Sequence, residues 1–400
     1  MSSPLHIFLV FLRLGLTSFG GPVAHLGYFR DEFVHRRRWL GEEAYADIVA
    51  LSQFLPGPSS SQVGMAIGLV RGGIVGLIAA WTGFTLPSAL LMAGAGYGII
   101  QFDGAMIPGL LAGLKIVAVA VVAQAVWGMA TQLCPDSRRR SLAIVAAVVM
   151  LVLPGVPAQL GVIIGGAILG ALLLADDKGS GGEPLDIAVP RLVSVFCLGL
   201  FFLLLFGLPL MVLGATGGVL VPLESFYRAG SLVFGGGHVV LPLLQGQMVP
   251  NEWVSNDAFL AGYGLAQAVP GPLFTFAAYL GFVMDTALSG WSGAVLCLLA
   301  VFAPSFLLLF GVLPFWELLR RQQQMRRAML GINAAVVGLL FAALYDPVFV
   351  SAIHGPVSLA LGLIAFAMLS FWRLPAWLVV VLTAAGSTII SLVSAGSVFV

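Results

Sequence analysis

The segments QFLPGPSSSQ, residues 53–62, and QAVPGPLFTF, residues 267–276, place one Gln-x-x-Pro-Gly-Pro motif in each half of this chain. Two prolines around a glycine remove backbone donors and disfavour helical geometry, so a helix that enters the triplet must stop there. Within an apolar stretch the freed backbone groups are costly unless they line a cavity or face protein. We therefore predict a broken helix in each half. The alternative is a proline kink with only a packing role.

The composition indicates that these segments lie in a membrane protein. Hydrophobic residues make up 60% of the 400 residues, and charged residues only 9%, against about 25% in soluble domains. So few charges cannot cover the surface of a soluble globule, and the hydrophobicity excludes a disordered chain. The net charge of +1 argues against a nucleic-acid partner. We predict an all-α polytopic protein of the inner membrane, surrounded by the lipid bilayer.

The two halves are collinear repeats, because rare residue types coincide in the same order at a nearly constant offset. Large internal repeats are typical of secondary transporters, and the alternative is an old duplication that now only supports the fold. The matched pairs include Phe11 with Phe226, Arg13 with Arg228, Trp39 with Trp253, Gln53 with Gln267, Pro87 with Pro304, and Gly113 with Gly331.

A polar segment, ADDKGSGGEPLD, separates the halves and has the composition of a flexible linker. The prediction is a first repeat over residues 1–175, a linker over 176–190, and a second repeat with an additional leading helix over 191–400. Basic clusters at 30–38, 138–140 and 320–327 are assigned to the cytoplasm by the positive-inside rule. The loop that matches the first cluster, VPNEWVSNDA, has no Lys or Arg.

That contrast favours repeats of inverted topology. The count of crossings then requires re-entrant Pro-Gly-Pro segments, and an odd number of crossings over residues 141–175.

Paired broken helices at corresponding positions are the best sequence indication of a transporter binding site. Half-helices that begin after the breaks would offer free N–H groups and a positive dipole end to an anion. The residues that this argument assigns to a substrate site are Gln53, Pro56, Gly57, Pro58, Ser59, Ser60, Gln267, Pro270, Gly271 and Pro272.

Other polar or glycine-rich positions inside apolar helices are further candidates. Arg13 and Arg228 occupy equivalent positions, and an arginine at membrane depth usually faces a cavity or a partner, with snorkelling to the interface as the alternative. The glycines of the two Phe-Gly-Gly elements are predicted to form an anion nest or a hinge, and the alternative is close packing contacts between helices. These glycines are Gly20, Gly21, Gly235 and Gly236.

Lys115 is assigned to the substrate site as well, and the alternative is a pairing with Asp103 or snorkelling to the interface. Glu43, Asp257 and His238 are candidates for proton coupling. The two acids could instead cap helix N-termini, and His238 could be structural.

No enzymatic or cofactor motif is found. The three cysteines are scattered without a CxxC pair, and the five histidines form no metal-ligand pattern, so neither a metal nor a disulfide is expected. The sequence contains no nucleotide-binding loop, which argues against an ATP-driven pump. We expect a protein that is not an enzyme and that has no cofactor.

At the level of longer motifs, the chain resembles the bacterial chromate ion transporters. The first half is similar over residues 11–68, which contain FLRLGLTSFGGP and QFLPGPSSS, and the second half over FGGGHVVLPLLQGQMV and GLAQAVPGPLFTFAAYLG. The resemblance covers roughly residues 5–130 and 222–345. It implies two homologous halves of opposite topology and export of chromate from the cytoplasm, which would confer chromate resistance.

The leading hypothesis is thus a secondary active chromate exporter that rocks its two repeats around a central anion site. A proton or a counter-anion would be the coupling partner, and the membrane potential alone could drive an outward uniport. The alternatives are a transporter of sulfate or another oxyanion, and an anion channel. The sequence does not determine the oligomeric state, and a homodimer is one alternative.

Overall fold

The computed structural model describes residues 3–101, 107–175, 189–214 and 218–396. These ranges consist of helices and loops, and no strand occurs in them. Seven of their helices are long and apolar enough to span a membrane. The prediction of an all-α polytopic membrane protein is therefore confirmed.

The first part of the chain begins with two short helices, and a single π-helical turn, Asp31–Arg36, extends the second of them. Much longer helices follow. The helices are α1 (Pro4–Thr17), α2 (Gly21–Arg30), α3 (Glu42–Phe54), α4 (Ser59–Gln101), α5 (Ile107–Leu133), α6 (Ser137–Val152) and α7 (Val156–Leu173).

The second part repeats this order after one additional long helix. Short 3-10 turns begin two of its returning helices, at Gly237–Val239 and Leu273–Thr275. The helices are α8 (Arg191–Met211), α9 (Leu220–Leu232), α10 (Val240–Met248), α11 (Asn256–Ala266), α12 (Phe276–Val283), α13 (Gly290–Val312), α14 (Trp316–Arg321), α15 (Gln323–Ala343), α16 (Val350–Ala352), α17 (Pro356–Ser370) and α18 (Ala376–Gly396). Residues 176–188 of the predicted linker lie outside the described residues.

Helices α1 and α2 form a hairpin whose tip is the first Phe-Gly-Gly element. At its open end the rings of His6 and Trp39 lie 6.0 Å apart. At its tip Nε2 of His25 lies 3.2 Å from the carbonyl oxygen of Ser18. Gly20, in the left-handed region with φ of 99°, precedes the first residue of α2. The chain therefore returns toward its starting side at this glycine pair.

Helix α3 and the first part of α4 form a second hairpin, whose tip is the first Pro-Gly-Pro triplet. The helix breaks between Phe54 and Ser59, as the prolines predict. Helix α4 then turns sharply at Gly72 and Gly73, where the backbone leaves helical geometry. Beyond this turn it runs on to Gln101 as a long apolar helix. The chain thus approaches and leaves the Pro-Gly-Pro tip from the same end of the bundle.

The second repeat has the same two hairpins. Helices α9 and α10 enclose the second Phe-Gly-Gly element, and α11 and α12 enclose the second Pro-Gly-Pro triplet. The Tyr279 hydroxyl of α12 donates to the Ala258 carbonyl of α11 across 2.8 Å, so these two helices lie antiparallel. Both predicted broken helices are confirmed, one in each repeat.

The hairpin tips of the two repeats are joined by two equivalent hydrogen bonds. The Gly57 N–H donates to the Val233 carbonyl across 2.7 Å, and the Gly271 N–H donates to the Ser18 carbonyl across 2.9 Å. Gly57 corresponds to Gly271 in the repeat, and Val233 corresponds to Ser18. Each Pro-Gly-Pro tip is therefore held by the Phe-Gly-Gly hairpin of the other repeat.

The three basic clusters lie at one end of the bundle, which we call the basic end (residues 30–38, 138–140 and 320–327). Arg320 bonds to Asp47 in the second turn of α3, and Arg30 bonds to Glu42 at the start of the same helix. The Arg138 guanidinium donates to the carbonyl of Leu173, and Gly170, one turn before Leu173, packs against the carbonyl oxygen of Arg327. The far part of α4, at Gly96, instead packs against Phe282 and Val283 at the end of α12.

One expectation about the crossings is wrong. Arg138, at the start of α6, bonds to the carbonyl of Leu173, at the end of α7, across 2.9 Å. Residues 141–175 therefore leave the basic end and return to it, instead of crossing an odd number of times. The reason is a turn at Pro154 and Gly155, where φ of Gly155 is 126°. The chain instead reaches the opposite end of the bundle through α8, which follows the linker.

Candidate functional site

A cavity of about 440 Å³ lies where the hairpin tips of the two repeats meet. The first repeat contributes its Pro-Gly-Pro region, and the second contributes its glycine-rich tip. Helix α5 closes one side with two glutamines. The polar and glycine residues among its lining are Gly20, Gln53, Gly57, Ser59, Gln124, Gly128, Gln132, Gly235, Gly236, Gly237, His238 and Asn333.

A second, smaller cavity of about 150 Å³ lies beside the first. It is built from the second Pro-Gly-Pro region and the first glycine tip. Four residues line both spaces: Gly20, Val121, Gln124 and His238. We call the two spaces the large and the small compartment. The residues found only in the small compartment are Gly21, Ala266, Gln267, Val269, Gly271, Leu273 and Ala376.

The lining of both compartments is neutral apart from His238, because no Asp, Glu, Lys or Arg of the described chain is part of it. Hydrogen-bond donors are plentiful instead. Helices α2 and α4 begin at the compartments, so their first-turn N–H groups point toward the tips. An anion at such helix starts is stabilised by the N–H groups and by the dipole.

The glycine tips add backbone donors. Gly235 and Gly236 have φ values of 75° and 146°, in the region that favours glycine. Within the described chain, neither N–H has a hydrogen-bond acceptor among the backbone carbonyls. Both glycines line the large cavity, so their N–H groups are candidate donors to an anion there. Their assignment to a substrate site stays a prediction.

His238 contacts a tyrosine behind the cavity wall. Its Nδ1 lies 2.6 Å from the hydroxyl oxygen of Tyr263 in α11. The imidazole is partly buried and lines both compartments. This contact with the Tyr263 hydroxyl fixes the orientation of the His238 ring. His238 is therefore the titratable side chain that reaches both spaces.

A second histidine ties the tips together without lining either compartment. His25 is buried, with Nδ1 3.2 Å from the Ser60 hydroxyl and Nε2 3.2 Å from the Ser18 carbonyl. Because a carbonyl only accepts, Nε2 carries the proton. In the neutral ring Nδ1 then accepts from Ser60. The same Ser18 carbonyl accepts from Gly271 of the other repeat, so His25 supports the crossed contact.

The three basic residues predicted for the site lie elsewhere. Arg13 is exposed on α1. Arg228 pairs with Glu224 one turn earlier, with Nε 3.0 Å from the carboxylate. Lys115 pairs with Asp257 across 2.8 Å. None of the three is among the residues that line either compartment, because their side chains leave the helices on other faces.

The predicted acids also lie away from the cavity. Glu43 is exposed in the first turn of α3, and Asp257 is in the first turn of α11. These are the positions that the capping alternative expects. The four prolines of the triplets, Pro56, Pro58, Pro270 and Pro272, and Ser60 shape the tips but are not in the lining of either compartment.

Several lining residues were not predicted from the sequence. Gln124 and Gln132 lie on α5, where an amide inside an apolar helix was the available signal. Asn333 on α15 corresponds to Lys115 in the first repeat, but only Asn333 lines the cavity. Gly237 follows the predicted glycine pair directly. Among the described residues, no cluster of His, Cys, Asp and Glu has the arrangement needed to hold a metal ion.

Comparison with known proteins finds a family that matches both repeats. Residues 5–171 and 222–388 each match the family model described as chromate transporter. The chain is 29% identical to a chromate transport protein of Pseudomonas aeruginosa, over 96% of this chain and 91% of that protein. It is 27% identical to a probable chromate transport protein of Synechococcus elongatus, with 95% and 93% covered. No solved structure matches the chain.

Proposed function

The chain belongs to the chromate transporter family, and we propose that it is a secondary active transporter that exports chromate from the cytoplasm and confers chromate resistance. The observation that carries this proposal is the large compartment, which joins both repeats and offers hydrogen-bond donors without a carboxylate. Such a lining suits a small tetrahedral oxyanion. We place the protein in the inner membrane, and we expect no enzymatic activity.

The donors would hold a dianion without a fixed positive charge. Gln53 and Ser59 offer an amide and a hydroxyl from the first repeat, and Gly235 and Gly236 offer backbone N–H groups from the second. The hairpin tips hold these dipoles in place, so they need no reorganisation when the anion arrives. Protonation of His238 would add one positive charge. Binding by neutral donors would be of moderate affinity, so that the anion can be released again.

We propose that export proceeds by relative movement of the two repeats around this cavity. Expulsion of a dianion from a negative-inside cell is favoured by about 2.3 kcal/mol per charge for each 100 mV. The membrane potential therefore supplies a driving force by itself. Proton coupling through His238, with Glu43 and Asp257 at the two surfaces, or exchange for a counter-anion would make the protein an antiporter.

We further propose that the repeats have inverted topology. The supporting observation is the order of contacts along the two long helices. The second part of α4 begins near the basic end and reaches Phe282 and Val283. Helix α13 begins beyond Val283, and the chain after it reaches Asp47 of α3 through Trp316 and Arg320. Each pair of hairpins would then enter the membrane from its own side.

A cysteine-labelling experiment tests this topology. The three native cysteines are buried, so an impermeant maleimide should label the wild-type protein weakly. We expect the variant Asn251→Cys to be labelled in intact cells, and His35→Cys to be labelled only in everted vesicles, because each residue is exposed at its own end. Ser137→Cys is the control and should follow His35→Cys. Labelling of His35→Cys and Asn251→Cys from the same side would exclude the inversion.

Transport itself is tested by uptake of radiolabelled chromate into everted vesicles, with and without excess sulfate. We expect uptake above that of vesicles without the protein. Gln53→Leu removes an amide donor from the lining and should raise KM about tenfold, the effect of one hydrogen bond to a charged group. Arg13→Gln is the matched control, because Arg13 is exposed and outside the lining, and its KM should stay close to wild type.

The outcomes separate the alternatives. Strong suppression by sulfate would indicate a general oxyanion site, and flux that saturates only at high concentration would indicate a channel. If Arg13→Gln lost chromate uptake while Gln53→Leu kept it, the assignment of the site to the large compartment would be contradicted.

A further inference from the structure

The two compartments are built from equivalent parts of the two repeats. The large compartment combines Gln53 and Gly57 of the first repeat with the glycine tip of the second. The small compartment combines Gln267 and Gly271 of the second repeat with the glycine tip of the first. Gln53 corresponds to Gln267, and Gly57 to Gly271. The same chemistry is therefore present twice, once on each side of the crossed hairpin tips.

The framework of both compartments is also equivalent. The Gly57 N–H bond to Val233 secures the large compartment, and the Gly271 N–H bond to Ser18 secures the small one. Behind these bonds, Gly57 packs on Ser305 and Gly271 packs on Ser88. Both serines occupy the same repeat position. The frameworks of the two compartments are therefore related by the repeat.

An unpaired donor lies at the small compartment. The side-chain nitrogen of Gln267 is buried and has no hydrogen-bond partner in the described part of the chain. A buried donor without a partner costs about 1–3 kcal/mol, and most buried polar groups avoid this cost. No carboxylate of the described chain lines the compartment. A rotation of the Gln267 amide toward the compartment would let an oxyanion supply the acceptor that this nitrogen lacks.

We propose that the small compartment is a second oxyanion subsite, so that the chain binds two anions of the transported class at once. The inference rests on the proposed function, which assigns an oxyanion to the large compartment. Gly20, Val121, Gln124 and His238 line both spaces and form the passage between them. An anion that enters one subsite would repel an anion in the other, which promotes release along the path.

The test is the number of anions bound by the purified full chain in lipid nanodiscs. Equilibrium binding of radiolabelled chromate is expected to give two anions per chain, with the second binding more weakly than the first. Gln267→Leu removes one donor from the small compartment and should weaken one of the two binding events about tenfold, the effect of one hydrogen bond to a charged group. Gln53→Leu is its counterpart in the large compartment, and it should weaken the other binding event by a similar factor. Ala376→Leu, which adds bulk only to the small compartment, should leave one anion.

A wild-type stoichiometry of one that Gln267→Leu does not change would overturn the second subsite. Uptake of chromate into vesicles by the same wild-type protein would keep the proposed function intact in that case. Absence of both chromate binding and chromate uptake would instead refute chromate as the substrate. The same binding measurement with radiolabelled sulfate then decides the subsite, since two sulfates support it and one or none overturns it. Monodisperse elution of each variant in size-exclusion chromatography establishes that it is folded.

Discussion

Gly57→Ala is expected to lower chromate uptake at least about tenfold, since backbone strain of the kind it introduces costs on the order of 1–3 kcal/mol. Gly57 has φ of 117°, in the region that favours glycine. An added Cβ would overlap the Ser305 hydroxyl oxygen and lie 2.9 Å from the side-chain nitrogen of Gln62. The tip would have to move away from Val233, and the large compartment would lose its shape.

The neighbours of Gly57 have little freedom to give way. The Gln62 nitrogen donates to the Pro56 carbonyl across 2.7 Å and to the Ser305 hydroxyl across 3.3 Å. Gln62 and Ser305 are both fully buried. The equivalent variant Gly271→Ala should be similarly impaired, because its Cβ would lie 2.8 Å from the Ser88 hydroxyl and 3.2 Å from the Phe84 carbonyl.

Two further variants separate local overlap from general damage. Gly290→Ala is the matched control, since Gly290 has φ of 61° and an added Cβ meets no atom within 4 Å. It should keep most of its uptake. The double variant Gly57→Ala with Ser305→Ala removes the overlapping oxygen and leaves the nearest Ser305 carbon at 3.7 Å, so activity should return in part. Wild-type uptake by Gly57→Ala would contradict the crossed arrangement of the tips.

The position of the hairpin tips could be predicted from the sequence because the cause is local. Proline lacks an N–H and fixes φ, so the triplets at 56–58 and 270–272 stop a helix whatever surrounds them. The same holds for the glycines at 20–21 and 235–236, which permit left-handed backbone. Because the triplets and the glycine pairs occur in both halves, the sequence also predicts that the two sets act together. The structure bears out the broken helix in each repeat.

The orientation of individual side chains could not be predicted, because it depends on packing between distant helices. Arg13 and Arg228 are equivalent in sequence, yet one is exposed and the other pairs with Glu224. Lys115 finds Asp257, which lies 142 residues away along the chain. Gln124 and Gln132 line the cavity only because α5 presents that face to the tips. Their spacing of eight residues places both amides on one face of α5, but it does not reveal which part of the fold that face meets.

The buried ion pair between Asp47 and Arg320 is the second contact whose removal should have a large effect. Both side chains are almost fully buried, with 6% and 5% of their surface exposed. Arg320 Nη1 lies 2.7 Å from Asp47, and the Trp316 indole N–H donates to the same carboxylate across 3.2 Å. The pair joins α3 of the first repeat to the chain that follows α13 of the second. Removal of the Asp47 carboxylate takes away a negative charge that the buried guanidinium contacts.

Asp47→Ala is therefore expected to destabilise the protein by about 3 kcal/mol, the lower part of the range for breaking a buried pair, because Glu317 continues to contact Arg320. The measurement is the thermal midpoint of the detergent-solubilised protein. Glu42→Gln is the matched control on the same helix. It breaks an ion pair with Arg30 in which both side chains are about half exposed, and exposed pairs of this kind contribute little.

The comparison between these two variants decides whether burial gives the Asp47 pair its importance. Equal midpoints for Asp47→Ala and Glu42→Gln would show that the contact between the repeats at the basic end does not depend on this pair. The residue equivalent to Asp47 in the second repeat is Ala261, so the opposite end lacks a counterpart of this carboxylate. Loss of the pair would then loosen the basic end selectively, and faster labelling of His35→Cys with unchanged labelling of Asn251→Cys should accompany the lower midpoint.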